Sequence, residues 1–214
     1  MKTVMKTRWE DLVMVNYEVD RGWVEKFVPA GCELELYEGK AMVSVVAFRF
    51  RKTRICGVPM PFYRDFAEIN LRIYVKRKVA VDGDVCRGVV FIKEVIPHRL
   101  PAMLANKVFK ENFYVMPVIG NSDEKTVKYA WGDRDAVSGE FDADLVEWEA
   151  GSEEEFIGDN FWAYKDQGKS GGRRKTIVFE VQHRPWKMRR LKNVKVEIDV
   201  EALYGEGWAE HMRE

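Results

Sequence analysis

Between Phe66 and Val75 the chain alternates strictly, with Ala67, Ile69, Leu71, Ile73 and Val75 on one side and Glu68, Asn70, Arg72 and Tyr74 on the other. A two-residue period is the repeat of an extended strand, and it fixes an apolar face and a polar face along that strand. The polar face admits two readings. Water covers it if the strand is half-solvated, and a ligand covers it if the strand lines a hollow. Asn70 favours the second reading, because Asn is poorly suited to strand interiors. An acid, an amide, a guanidinium and a phenol in one row also supply donors and acceptors for a small polar molecule. On that reading Glu68 is a candidate general acid or base, Arg72 a candidate clamp for a carboxylate, and Asn70 and Tyr74 ligand-binding groups.

Strand signals dominate the rest of the chain. Residues 33–37 alternate, Glu38-Gly39 supplies a turn, and residues 41–51 are apolar on both faces, which predicts a hairpin whose second strand is covered from two sides. A second hairpin is expected from residues 66–81 and 85–96 around Asp82-Gly83, a dipeptide that tolerates the positive φ of a tight turn. Further strands are expected near 113–119, 126–131, 137–148, 175–183 and 194–200. Two helices interrupt them. One spans 99–111, with Pro101 in its first turn and Leu100, Leu104 and Val108 on one stripe. The other starts at Ser152, which caps the backbone while Glu155 answers three residues later, and it buries Phe156, Ile157, Phe161 and Tyr164. No linker divides the 214 residues, so a single mainly β (α+β) domain over 1–214 is expected.

Charge and cysteines narrow the function classes. Lys plus Arg and Asp plus Glu number 35 each, so no net field draws the chain to nucleic acid or to an anionic membrane. The basic stretch 183–195, with Trp186 inside it, would be the nucleic-acid surface. Asp142, Asp144, Glu147, Glu149 and Glu153 to Glu155 form an acidic counterpart, and mutual neutralisation is the favoured reading. Cys32, Cys56 and Cys86 are odd in number and widely spaced, which matches neither a disulfide framework nor a zinc site. The apolar stretch from Leu12 to Val15 is too short for a signal core or a membrane span. A cytoplasmic protein with no membrane partner is expected.

Three more segments carry chemistry in principle. Lys93 interrupts the apolar run of residues 89–96; a desolvated lysine there is a Schiff-base nucleophile, and one whose stem packs while its ammonium reaches water is inert. His183 follows Ile177, Phe179 and Val181 at two-residue steps, which makes it either a hydrogen-bonded core residue or a second acid–base group. His98 and His211 share no ligand spacing with it, so no metal is expected. Residues 163–170 read A-x-x-x-x-G-K-S and imitate a phosphate-binding loop, but an acidic helix precedes them and a strand follows, the reverse of what that loop needs. A mobile connecting loop is the expectation there, with no nucleotide or other cofactor.

The chain resembles the YqjF-like proteins, a family of unknown function grouped by fold with acetoacetate decarboxylase. The resemblance rests on Trp9-x-Asp11-Leu12, Val28-Pro29-Ala30-Gly31, Phe66-x-Glu68-x-Asn70-x-Arg72-x-Tyr74-Val75, Gly88-Val89-Val90-Phe91, Phe161-x-x-Tyr164 and His183-x-Pro185-Trp186. It implies an antiparallel, cone-like β-barrel with a few peripheral helices and a pocket within. Tyr164 then joins the ligand-binding set. In acetoacetate decarboxylases a lysine in a Gly-Phe-Pro-Lys-Lys stretch forms the Schiff base; that stretch is absent here, the corresponding region is 106–114 with an aromatic in the lysine's place, and Lys107 is the candidate nucleophile left in it. Three functions stay open: a pocket protein acting on a small carboxylate or carbonyl compound through Glu68 or His183, a non-catalytic carrier or sensor, and a nucleic-acid module using 183–195. A homo-oligomer is compatible with all three.

Overall fold

A computed structural model describes residues 5–60, 62–78, 84–99, 101–103, 106, 113–142, 144–145, 147–170, 173–183 and 186–213. The strands are β1 (Met5–Val19), β2 (Glu33–Leu34), β3 (Leu36–Tyr37), β4 (Lys40–Ile55), β5 (Val58–Pro59), β6 (Phe66–Lys78), β7 (Val85–Ile96), β8 (Phe113–Val115), β9 (Val118–Ser122), β10 (Thr126–Trp131), β11 (Asp135–Phe141), β12 (Trp162–Ser170), β13 (Arg173–Glu180), β14 (Leu191–Glu197) and β15 (Met212–Arg213). Short helices α1 (Arg21–Val24), α2 (Glu153–Gly158), α3 (Val200–Tyr204) and α4 (Trp208–His211) lie between them. The large sheet runs β13-β12-β7-β6-β4-β1-β15 and curls into a half-barrel; a second sheet runs β14-β11-β10-β9.

β6 sits between β4 and β7 in the middle of the large sheet. Ile69, Leu71, Ile73 and Val75 share one core with Val43 and Val45 of β4, Val90 and Val95 of β7, Tyr129 and Trp131 of β10, and Leu203, Tyr204 and Trp208 of the C-terminal helices. Each such aliphatic side chain contributes roughly 1.5–3 kcal/mol by leaving water. The second sheet and the C-terminal helices thus share the core on the apolar face of β6, and the expected alternation is seen residue by residue.

Both expected hairpins form. Leu36 and Tyr37 pair with Ala41 and Lys40 across Glu38-Gly39, while Glu33 and Leu34 pair instead with β6. β6 and β7 pair antiparallel from Ile69↔Val95 to Lys78↔Val85; the Asp82-Gly83 turn lies outside the described residues. The run expected at 113–119 is two strands, β8 on β7 and β9 on β10, separated at Met116-Pro117, where Pro117 has no N–H to continue a ladder. β11 ends at Phe141 rather than 148, one residue before Asp142 N–H makes a last bond to Arg190 O beside β14. Two pairings, β7–β8 and β7–β12, are parallel, so the sheet is not purely antiparallel.

Three expectations require correction. β1 was not anticipated, because register shifts at Lys6/Arg8 and Glu10/Val13 and a positive φ at Asp11 break its alternation. The helix from Ser152 stops at Gly158, and residues 162–170 form strand β12 rather than a mobile loop. The three-residue spacing of Phe161 and Tyr164 imitates a helix, yet pairing with β7 and β13 decides the conformation. Of the helix expected over 99–111, residues 99, 101–103 and 106 are helical, and Leu100, Leu104, Lys107 and Val108 lie outside the described residues. No described helix is long and apolar enough to cross a membrane.

Gly88 makes the β7–β12 junction possible. A Cβ placed there would stand 2.2 Å from the carbonyl oxygen of Trp162, a backbone atom that cannot swing aside. Gly88→Ala is therefore expected to lower stability by about 1–3 kcal/mol, as overpacked sites do, read as a reduced urea midpoint. An unchanged midpoint would contradict this strand pairing.

Candidate functional site

The polar row of β6 does not face water. Glu68, Asn70, Arg72 and Tyr74 are exposed by 2%, 2%, 6% and 0%. Register places Phe48, Val46 and Ser44 of β4 beside Glu68, Asn70 and Arg72, and Glu94, Phe91 and Val89 of β7 beside Asn70, Arg72 and Tyr74. Phe156 and Ile157 of α2 pack with Tyr74 and Val89, joined by Phe179 and Val181 from β13 and the residue after it. A strand with both faces covered must satisfy its hydrophilic side chains inside the protein.

Arg72 is the group hardest to bury. Its Nη2 donates to Ile157 O at 2.7 Å and approaches Met14 Sδ at 3.5 Å, and its Nε reaches Tyr74 OH at 3.4 Å. No carboxylate lies within ion-pair distance of it among the described residues. Arg87 likewise reaches Phe156 O at 3.3 Å, so two guanidinium groups meet the carbonyl end of α2, where the helix dipole is negative.

A directed hydrogen-bond chain leads away from Arg72. Ser44 Oγ donates its single proton to Asn16 Oδ1 at 2.6 Å, so the 2.5 Å contact between Ser44 and Tyr74 must be donated by the Tyr74 hydroxyl. Asn16 Nδ2 then donates to Glu153 Oε1 at 3.0 Å, at the start of α2. Every bond points the same way, from the buried cation to a carboxylate about as far along the helix as its short length allows. α2 is thereby fixed at both ends: Glu153 holds Asn16, and Ile157 O takes Arg72. The cap expected at Ser152 is present, with Glu155 N–H donating to Ser152 Oγ at 3.1 Å.

The other end of the row is rich in acceptors. Asn70 Nδ2 donates to Glu68 Oε1 at 3.0 Å, and Asn70 Oδ1 is buried and accepts no hydrogen bond among the described residues. Glu94, also buried, stands across from Asn70. Sequence reasoning singled out Lys93 rather than Glu94. The register of β6 and β7 shifts between Leu71 and Arg72, passing from Phe91 to Lys93, so Lys93 opposes Leu71 on the apolar side and Glu94 opposes Asn70 on the polar side. The signal was the adjacency of the two charges in an apolar run.

The remaining candidates separate. Lys93 Nζ donates to Leu203 O and lies 3.9 Å above the Tyr114 ring, and burial lowers its pKa below that of an ordinary lysine. Tyr164 packs in the core on the side of Leu71, donates its hydroxyl to Cys86 O at 3.1 Å, and has its phenol pKa pushed up by burial. The structure brings neither to the polar row. Lys107 is outside the described residues. His183 is sandwiched between Phe161 at 4.7 Å and Trp186 at 4.3 Å, with near-parallel rings. Trp186 meets Trp9 at 6.0 Å and Trp9 meets Phe48 at 5.1 Å, so an aromatic train joins His183 to the neighbour of Glu68.

The basic stretch is neutralised in part: Lys192 pairs with Asp142, Arg190 with Glu154 and Lys187 with Glu147, while Arg189 covers the Phe141 ring. Among the described residues no three His, Cys, Asp or Glu side chains gather as a metal site would require.

The uncharacterized protein YqjF of Bacillus subtilis (strain 168) is 24% identical over 202 residues, which cover 94% of this chain and 80% of that protein. Acetoacetate decarboxylase from Legionella pneumophila superposes with a TM-score of 0.63 at 11% identity, covering 95% of this chain and 79% of the other. The enduracididine biosynthesis enzyme MppR, complexed with pyruvate, superposes with a TM-score of 0.55 at 12% identity over 83% of this chain and 70% of the other. At such identities the two structures show a shared fold, the acetoacetate decarboxylase-like one. The sequence pattern of the DUF2071 family of uncharacterized conserved proteins matches residues 6–214, and the chain belongs to that family.

Proposed function

We propose that the protein binds a small carboxylate or carbonyl compound against the polar row of β6, with the ligand's carboxylate on Arg72 and with Glu68 as the acid–base group. The observation that carries this reading is a buried guanidinium with no carboxylate partner among the described residues. Burying such an ion costs several kcal/mol unless charge and hydrogen bonds compensate it, and one helix carbonyl, a thioether and a phenol oxygen compensate only in part. An anionic ligand supplies the rest through paired N–H donors.

Two fold relatives lend support: one is named acetoacetate decarboxylase and the other is complexed with pyruvate, and both names carry a small carboxylate. Asn70 orients the Glu68 carboxylate; His183 is not part of this proposal, because the aromatic rings between it and the row carry no proton. A Schiff base on Lys93 is not part of this proposal, because that amine lies on the opposite face. The ion pairs along 187–192 weigh against the nucleic-acid reading. Stoichiometric binding without turnover would make the protein a carrier.

Pyruvate tests this reading. Calorimetry should show binding to the native protein and about 10- to 100-fold weaker binding to Arg72→Ala, the range for losing a charge-assisted hydrogen bond. Unchanged affinity in Arg72→Ala would contradict the anion site. Ser44→Ala, which leaves Tyr74 OH without an acceptor, should cost about 1–3 kcal/mol in denaturant unfolding. No change there would show that the directed chain does not hold Tyr74.

A further inference from the structure

The row is chemically lopsided. Arg72 presents donors at one end, and two strand residues earlier, about 6.8 Å along β6, Asn70 presents an amide oxygen with Glu68 and Glu94 beside it. The orientation of the Asn70 amide follows from its neighbour. Turned over, it would set its oxygen against Glu68 Oε1, the atom that now accepts its N–H at 3.0 Å, so Oδ1 must point away from Glu68. That oxygen is buried and unaccompanied by a donor among the described residues. A carboxylate offers about four acceptor positions, so Glu94 retains acceptor capacity whatever else it bonds.

From these facts we infer that the site selects a ligand that carries a hydrogen-bond donor, a hydroxyl or an ammonium, on the carbon next to its carboxylate: a 2-hydroxy or 2-amino acid rather than a 2-oxo acid. This deepens the proposed function and rests on its placement of the carboxylate on Arg72. A hydroxyl or ammonium there gives its proton to Asn70 Oδ1 or Glu94, whereas a keto oxygen at the same place leaves Asn70 Oδ1 without a donor. Sites built to pair a ligand donor discriminate strongly against analogues that lack it, because the buried acceptors are then left unpaired. Glu94 is thereby a specificity-determining residue. It lies outside the polar set readable from the β6 sequence, and only the irregularity at Ile92 brings it to this face.

Four three-carbon acids separate the possibilities: lactate, alanine, pyruvate and propionate share a carboxylate and differ at the second carbon. Calorimetric titration of the native protein should show lactate or alanine binding at least tenfold more tightly than pyruvate and propionate. In Glu94→Gln, whose amide supplies a donor, the gap between lactate and pyruvate should narrow at least threefold. Asn70→Ala, checked for folding by circular dichroism, should narrow it too. Pyruvate or propionate binding as tightly as lactate and alanine to the native protein would overturn this inference while leaving the anion site standing. Binding of none of the four would overturn both.

Discussion

A strand covered on both faces cannot send a guanidinium, a carboxylate and an amide into water. β6 is such a strand, with hydrocarbon from two sheets and the C-terminal helices on one side and with α2, β4 and β7 on the other. Its polar side chains must therefore be answered from within, and much of the local architecture follows from that need. α2 turns its carbonyl end to Arg72 and Arg87, its first residue closes the chain that begins at Tyr74, and Asn70 is committed to Glu68. What the protein does not supply is an anion for Arg72 and a donor for Asn70 among the described residues. Those two deficits lie on one face, two residues apart, which is the spacing of the two ends of a small molecule.

The same logic explains why α2 can be so short. An isolated helix of this length would not persist in water. Here Ser152 caps it, Glu153 is tied to β1 through Asn16, and Arg72 and Arg87 engage its last carbonyls. The helix is thus held by the residues of the site, and any change that moves Arg72 will also be felt at α2.

How much of this was legible in the sequence depends on locality. The β6–β7 hairpin and the division of β6 into two faces were readable, because nothing interrupts the alternation from Phe66 to Val75. That the polar face is buried was not readable from β6 itself, since its cover comes from α2 and β13, about eighty or more residues away. Glu94 escaped for a different reason: the register shift opposite Leu71 and Arg72 reverses the parity of β7, so simple counting assigns Lys93 and Glu94 to the wrong faces. Asp11, with a positive φ, hid β1 in the same way. The spacing of Phe161 and Tyr164 suggested a helix where pairing to Gly88 imposes a strand. Period two groups His183 with Phe179 and Val181, but β13 ends at Glu180 and His183 stacks between Phe161 and Trp186.

The proposed site depends on one contact between a ligand anion and Arg72. A crystal structure of the protein grown with lactate reads that contact directly. Density for the acid with its carboxylate oxygens at hydrogen-bond distance from the Arg72 guanidinium, and its hydroxyl toward Asn70 and Glu94, is the predicted result. A well-ordered map at saturating lactate with the acid bound elsewhere, and only protein or water against Arg72, would contradict it.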